Sequence, residues 1–177
     1  MAWFSSVMAW VKALPPTLAL TVITFLPALE LRASIPYGIF FLKDSCPLAV
    51  VLSVCVTANI LLGVAVFFLL DKFVHIFRRW GTFARVYNAY VVRTQRRIQK
   101  PVERWGELGV AVFIGVPLPG SGVYSGALAA YILGLSYRKF FIANVIGVLI
   151  AATAVTLACL LAPEAAGWLY KSYQSVQ

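Results

Sequence analysis

Two stretches of the sequence carry no charged residue over lengths that can cross a lipid bilayer. Residues 46–70 and 140–161 contain 25 and 22 residues, and both are rich in Val, Leu and Ile. A helix needs about 20 predominantly apolar residues to cross the hydrocarbon core. The chain of 177 residues is 62% hydrophobic and 12% charged, whereas a soluble domain carries about 25% charged residues. We therefore exclude an ordinary water-soluble fold and predict one all-helical membrane domain over residues 1–177.

Two further apolar stretches, 17–42 and 108–135, are interrupted in their middles. The interrupting residues are Pro27, Pro36 and Gly38 in the first stretch and Pro117, Pro119, Gly120, Gly122 and Gly126 in the second. Proline removes a helical donor, and clustered glycines weaken a helix. Irregular backbone at membrane depth is tolerated only against protein or a water-filled cavity. We favour two re-entrant hairpins with unwound tips at 26–38 and 116–126, with two kinked spanning helices as the alternative.

The segment 71–107 between these pairs holds nine of the 15 Lys and Arg residues. The positive-inside rule therefore predicts that this segment is cytoplasmic. Aromatic and apolar residues recur in it at steps of three and four, which predicts an amphipathic interfacial helix that attracts anionic lipid. The members of this stripe are Trp80, Phe83, Tyr87, Tyr90, Thr94 and Ile98. Nucleic-acid binding is the rival interpretation, and we reject it because no such module fits between two membrane segments.

This orientation makes the two halves of the chain mirror topologies. The first half is 17–70 and the second is 108–162, and each reads as a broken re-entrant hairpin followed by a transmembrane helix. An asparagine lies in the early-middle part of each span, Asn59 and Asn144. Corresponding broken segments in two halves indicate an inverted-repeat transporter with its site between them.

Only two ionisable side chains, Glu30 and Arg32, fall well inside an apolar stretch. Each costs about 2.5–3.5 kcal/mol at a helix centre on insertion scales, which usually marks function. We expect Glu30 to bind and release a proton, and Arg32 to hold a phosphate or carboxylate. The alternatives are an ion pair that only stabilises the hairpin tip, or a shallower hairpin with both charges at the headgroups.

The second break has no charge but offers hydroxyl groups and backbone N–H groups that can bind an anion. Close helix packing is an equally good explanation of its glycines. The predicted substrate-binding residues are Arg32, Ser34, Pro36, Asn59, Pro117, Pro119, Gly120, Ser121, Gly122, Tyr124, Ser125 and Asn144. The three cysteines are read as buried small hydrophobes, and neither they nor His75 show metal-ligand spacing, so no metal or cofactor is expected.

Two motifs, Glu-Leu-Arg-Ala-Ser-Ile-Pro-Tyr-Gly at 30–38 and Pro-Leu-Pro-Gly-Ser-Gly-Val-Tyr-Ser-Gly-Ala at 117–127, resemble the small multi-drug export family of bacterial membrane proteins. More remotely, segments 109–115 and 136–147 are similar to the DedA superfamily. That resemblance implies paired re-entrant hairpins meeting at the membrane middle, and movement of lipids or lipid-linked phosphates between leaflets, with ion gradients in bacteria.

Under the DedA resemblance, Glu30 matches the acidic residue of the first hairpin, and Pro36 matches a loop proline. The second hairpin lacks the arginines that DedA proteins carry there. Arg32 substitutes for them from the other hairpin, or else the substrate differs.

These observations predict a secondary transporter of the bacterial inner membrane rather than an enzyme. It would couple ion movement to translocation or export of a small amphipathic or lipid-phosphate-like substrate. The alternatives are a non-coupled lipid scramblase and a structural or partner-binding membrane protein. The expected partners are membrane lipids, including anionic lipid at the basic segment, and a chain this small is a candidate for self-association.

Overall fold

The computed structural model describes residues 14–27, 29–43, 45–77, 106–116 and 121–161. These ranges contain six helices and no strand, which confirms the all-helical prediction. In chain order the helices are α1 (Pro16–Phe25), α2 (Glu30–Phe41), α3 (Leu48–Phe77), α4 (Gly106–Gly115), α5 (Val123–Ile132) and α6 (Tyr137–Leu161). The aromatic stripe predicted for the basic segment, Trp80 to Ile98, lies outside the described residues.

Helices α3 and α6 are long and apolar enough to cross a membrane, as the two uninterrupted stretches predict. Their spans are Leu48–Phe73 and Tyr137–Leu161, with mean hydropathies of 2.5 and 2.3. Only 39% of the most apolar window in each span is buried inside the protein. Large apolar side chains such as Leu61, Leu69 and Leu149 are exposed on the remainder. Exposed apolar surface of this extent on a long helix is suited to lipid.

The chain divides into two compact units, and both long helices contribute to each. Unit 1 comprises Met1–Asn59 and Ala151–Gln177, and unit 2 comprises Ile60–Ile150. Unit 1 therefore contains α1, α2, the first part of α3 and the last part of α6. Unit 2 contains the remainder of α3, then α4, α5 and the first part of α6. Each unit thus combines one pair of short helices with a segment of each long helix.

In unit 1, helices α1 and α2 form a hairpin that packs on the first part of α3. Ala19 and Ile23 of α1 are buried, and Ala33 and Tyr37 of α2 pack against them. Between α1 and α2 the Leu29 N–H donates to the Leu26 carbonyl over 3.1 Å, and Leu26, Pro27 and Leu29 are not helical. The break near Pro27 is therefore confirmed.

The predicted unwound segment 26–38 is too long, because Pro36 and Gly38 both lie inside α2. A proline removes a single helical hydrogen bond, and the rest of the helix still satisfies its backbone groups internally, as an apolar solvent requires. Gly38 is used for close packing, since a methyl group at this position would collide with the side chain of Val51 on α3.

In unit 2, helices α4 and α5 form a second hairpin. The α4 helix ends at Gly115, and α5 begins at Val123 after Gly122, whose φ of 153° favours glycine. The hairpin is tight, because a Cβ atom on Gly126 would lie 2.8 Å from Cδ1 of Ile114. The predicted unwound segment 116–126 is again too long, since Gly126 is helical.

The α4–α5 hairpin of unit 2 begins and ends near the start of α6. The Lys139 Nζ atom lies 2.8 Å from Glu107 Oε1 at the start of α4. At the other end of the hairpin, Tyr131 and Tyr137 both contact the ring of Phe67. The end of α4 lies instead beside the middle of α6, where a Cβ atom on Gly115 would meet Ile150. The hairpin therefore extends along about half of α6.

Candidate functional site

The first candidate residue, Glu30, is a buried carboxyl at the start of α2. It is 6% exposed, and its backbone N–H donates to the Leu26 carbonyl over 3.2 Å. Its φ is 48°, which makes it the one non-glycine residue with positive φ among those that the structure describes. The left-handed conformation costs roughly 1–2 kcal/mol for an L-residue with a Cβ atom. The chain thus holds a buried acid in a strained backbone at the turn of this hairpin.

Arg32 follows on the same helix and is half-buried. The carboxyl of Glu30 interacts electrostatically with its guanidinium group. Arg32 is helical and Glu30 begins the helix with a left-handed φ, so the predicted unwound segment ends at Glu30 and does not include Arg32. The ring of Pro36, one turn later, removes the N–H that would otherwise bond the Arg32 carbonyl in a regular helix.

A buried cluster of two hydroxyls and one thiol, which we name the hydroxyl–thiol cluster, lies one turn from Glu30 in unit 1. Its members are Thr24 of α1, Ser34 of α2 and Cys55 of α3, and each is fully buried. Thr24 Oγ1 lies 2.8 Å from the Leu20 carbonyl oxygen and 2.8 Å from Ser34 Oγ. The Cys55 thiol lies close enough to both hydroxyls to interact with them. Three helices of unit 1 therefore meet at small polar side chains.

Sequence reasoning identified Ser34 but missed Thr24, and it assigned Cys55 to an apolar environment. Cys55 is buried as expected, yet it lies in a polar cluster. One available signal was the spacing of four residues, which places side chains on the same face of a helix. Glu30 and Ser34 show this spacing on α2, and Cys55 and Asn59 show it on α3.

Both predicted asparagines are buried. In unit 1, Asn59 is 1% exposed, and its Oδ1 atom has no hydrogen-bond partner within the described part of the chain. In unit 2, Asn144 is fully buried, and its Nδ2 atom donates to the Ile60 carbonyl over 3.1 Å. Gly63 leaves room for this amide, since a Cβ atom there would lie 2.6 Å from it. That both residues bind substrate stays a prediction.

The second hairpin contributes polar groups to unit 2. Ser121 is 8% exposed, and its hydroxyl donates to the Val116 carbonyl over 2.6 Å. The Ser125 hydroxyl lies 3.4 Å from the Gly122 carbonyl, and Tyr124 is half-buried. Pro117, Pro119 and Gly120 lie outside the described residues. The hydroxyl of Ser121 thus bonds back to the residue that follows α4, and a substrate contact there stays a prediction.

The described ranges contain no group of three or more His, Cys, Asp or Glu side chains that could hold a metal ion. The candidate residues described above for unit 1 supply one carboxyl, one guanidinium, two hydroxyls, a thiol and an amide. Such groups can exchange a proton, pair with an anion and donate or accept hydrogen bonds.

Comparison with known protein families gives a match over most of the chain. The family model described as "Putative small multi-drug export protein" matches residues 30–154, which is well over half of the chain. The match begins at Glu30 and extends into α6. No curated protein and no solved structure matches the chain.

Proposed function

The chain belongs to the small multi-drug export family, and from this premise we propose that it is an ion-coupled secondary transporter of the bacterial inner membrane. Membership indicates membrane export rather than catalysis. Our proposal adds that Glu30 carries the coupling proton and that Arg32 binds the anionic group of an amphipathic or lipid-phosphate-like substrate.

The observation that carries this proposal is the buried, strained Glu30. A carboxyl inside the apolar part of a membrane protein is costly, and a left-handed backbone adds to that cost. For stability alone, glycine would suit the left-handed backbone at position 30 better than glutamate, and apolar side chains would suit the buried surroundings better than charged ones. Functional sites are where such costs persist, and the Arg32 guanidinium beside Glu30 supplies the group that pairs with carboxylates and phosphates.

We also propose that both hairpins are re-entrant and that the two halves form an inverted repeat. Support comes from each unit taken by itself. In unit 1, the last turn of α2 packs at the first turn of α3 through Gly38 and Val51. In unit 2, Glu107 at the start of α4 pairs with Lys139 at the start of α6. Each hairpin is thus tied to the beginning of the long helix that follows it.

The orientation of the spans rests on the basic residues. In unit 2, Lys72 lies near the end of α3, and Arg138 and Lys139 lie at the start of α6. We place this end of unit 2 at the cytoplasmic face together with the basic segment. The Lys72 Nζ atom lies 5.1 Å from the centre of the Phe68 ring, an aromatic–cation pair suited to the membrane interface.

The proposal is tested by flux into proteoliposomes that hold the full chain and a trapped fluorescent pH indicator. Anionic dyes, cationic dyes and short-chain lipid phosphates are added outside, with and without an imposed proton gradient. The wild type should couple the movement of at least one anionic amphiphile to that of protons. Glu30→Gln should abolish the coupled flux while the protein still inserts into the membrane.

Arg32→Gln should lower the flux of anionic amphiphiles at least about tenfold, because one charge-assisted hydrogen bond is lost. Ser53→Ala is the matched control: it removes an exposed hydroxyl that bonds only its own helix at Ala49. Flux that is unchanged in Glu30→Gln would refute the proton role. Lipid flux that persists without a proton gradient would indicate a scramblase instead, and loss of the Glu30→Gln protein from the membrane would indicate a structural role.

A further inference from the structure

Helices α2 and α3 of unit 1 run antiparallel in a regular register. Gly38 of α2 lies against Val51 of α3, and Ser34 of α2 lies beside Cys55 of α3. Moving four residues back along α2 therefore corresponds to moving four residues forward along α3. The next step of the same size, about 6 Å of helix, brings Glu30 to the level of Asn59.

Asn59 carries an acceptor that lacks a donor. Its side chain is 1% exposed, and its Oδ1 atom has no hydrogen-bond partner among the described residues. Asn59 lies four residues after Cys55, so both side chains are on the face of α3 on which Cys55 lies beside Ser34 of α2. Buried acceptors are nearly always satisfied in native proteins, so this one requires an explanation.

Protonation of Glu30 would supply the missing donor. An ionised carboxylate only accepts hydrogen bonds, whereas a protonated carboxyl carries one O–H donor. An acceptor at the level of Glu30 is therefore unsatisfied by the ionised acid and satisfied by the neutral one. The electrostatic interaction with Arg32 has the opposite dependence, because it favours the ionised form.

We propose that Asn59 is the acceptor for the proton carried by Glu30, so that neutral Glu30 donates its O–H to Asn59 Oδ1 and ionised Glu30 pairs with Arg32. This inference rests on the proposed function, since it takes Glu30 as the protonated group. It makes Asn59 a positioning residue that links the charge state of α2 to the spanning helix α3.

The other titratable groups on the helices of unit 1 are few. On α2 they are Arg32 and Tyr37, on the first part of α3 there is Cys55, and on the last part of α6 there is Cys159. Helix α1 has none. Of these groups, Arg32 interacts electrostatically with Glu30, and the Asn59 variants leave Arg32 in place.

The test is an infrared pH titration of the full chain in phosphatidylcholine–phosphatidylglycerol vesicles, with no transport substrate present. Subtracting the spectra of Glu30→Gln isolates the protonated carboxyl band of Glu30. Asn59→Val should lower the pH at which this band is half-developed by about 0.5–1 unit, the equivalent of one hydrogen bond. Threonine has nearly the same shape as valine but keeps an oxygen acceptor. The midpoint of Asn59→Thr should therefore stay closer to that of the wild type. Ser53→Ala should leave the midpoint unchanged.

Equal midpoints in the wild type and Asn59→Val would overturn the inference, as would equal shifts in the Val and Thr variants. If Asn59→Val does not reach the membrane, Asn59→Asp replaces it: two carboxyls sharing one proton must raise the midpoint, and no rise would overturn the inference. The result is distinguishable from that of the flux assay. If the midpoint depends on residue 59 but the flux does not depend on the proton gradient, the proposed function is rejected and the inference about Asn59 stands.

Discussion

Replacing Gly147 with alanine tests the packing that holds the second hairpin against α6. A methyl group at this position would lie 2.7 Å from the Ala111 carbonyl oxygen and 2.7 Å from Cβ of Ile114. Ordinary contacts of this kind are about 3.5 Å or longer. One of the two obstacles is backbone, so no rotamer change removes the collision. The α4 helix must move away from α6 by roughly 0.8 Å to reach that contact distance.

The expected cost follows from two opposing effects. Overpacking a well-packed interior costs about 1–3 kcal/mol, whereas alanine gains about 1 kcal/mol over glycine in a helix. We expect a net loss of about 0–2 kcal/mol in the free energy of unfolding for Gly147→Ala. Gly109→Ala is the matched control on α4, because a Cβ atom there meets nothing within 4 Å. That variant should be unchanged or more stable by up to about 1 kcal/mol.

The measurement is unfolding in mixed micelles with increasing dodecyl sulfate, followed by far-ultraviolet circular dichroism. The two variants should differ by about 2 kcal/mol, or about 30-fold in the ratio of folded to unfolded protein. Equal stability of Gly147→Ala and Gly109→Ala would show that α4 does not pack on α6 as described. A loss of stability in Gly109→Ala would instead show that another group occupies the space beside Gly109.

Two further predictions concern the asparagine and the strained acid. Gly63→Ala should displace the Asn144 amide from the Ile60 carbonyl and lower the free energy of unfolding by about 0.6 kcal/mol, a typical value for such a bond in a membrane. In the double variant with Asn144→Ala, the loss of stability should be smaller than the sum of the two single losses. Glu30→Gly should be more stable than Glu30→Ala by roughly 1 kcal/mol, because residue 30 has a left-handed backbone. The measurement is the midpoint of thermal unfolding. A higher midpoint for the alanine variant than for the glycine variant would contradict the left-handed conformation.

The two spanning helices were predictable because lipid imposes length and composition directly. The charge-free stretches 46–70 and 140–161 correspond to α3 and α6. Their ends were less predictable, since α3 continues beyond Asp71 and Lys72 to Phe77 and α6 begins three residues early at Tyr137. Hydropathy marks the part of a helix that lies in hydrocarbon, whereas a helix can extend past the interface wherever its backbone bonds continue.

The extents of the two breaks were not predictable from proline and glycine alone. Pro27 lies in the turn and Pro36 lies within a helix, although both interrupt the same apolar stretch. What separates them is tertiary contact: the turn of the helix after Pro36 packs Gly38 against Val51. Glycine at such a position serves close approach of helices, as it also does at Gly126 and Gly147. A single sequence gives the residue types. It does not give the tertiary contacts that decide whether a proline or glycine interrupts a helix or lies within one.

The polar groups of unit 1 show why the candidate site was only half predictable. Glu30 and Arg32 stand out because charge is rare in an apolar stretch, whereas Thr24 and Cys55 are common in membrane helices and gain meaning only when three helices meet. In that meeting the small polar groups satisfy one another, as apolar surroundings require. Asn59, one turn along α3, is an exception to that rule, and the register that we infer brings it to the level of the buried acid in its strained backbone. We therefore attribute the strained acid and the unsatisfied amide to the shared proton proposed above rather than to two independent defects of packing.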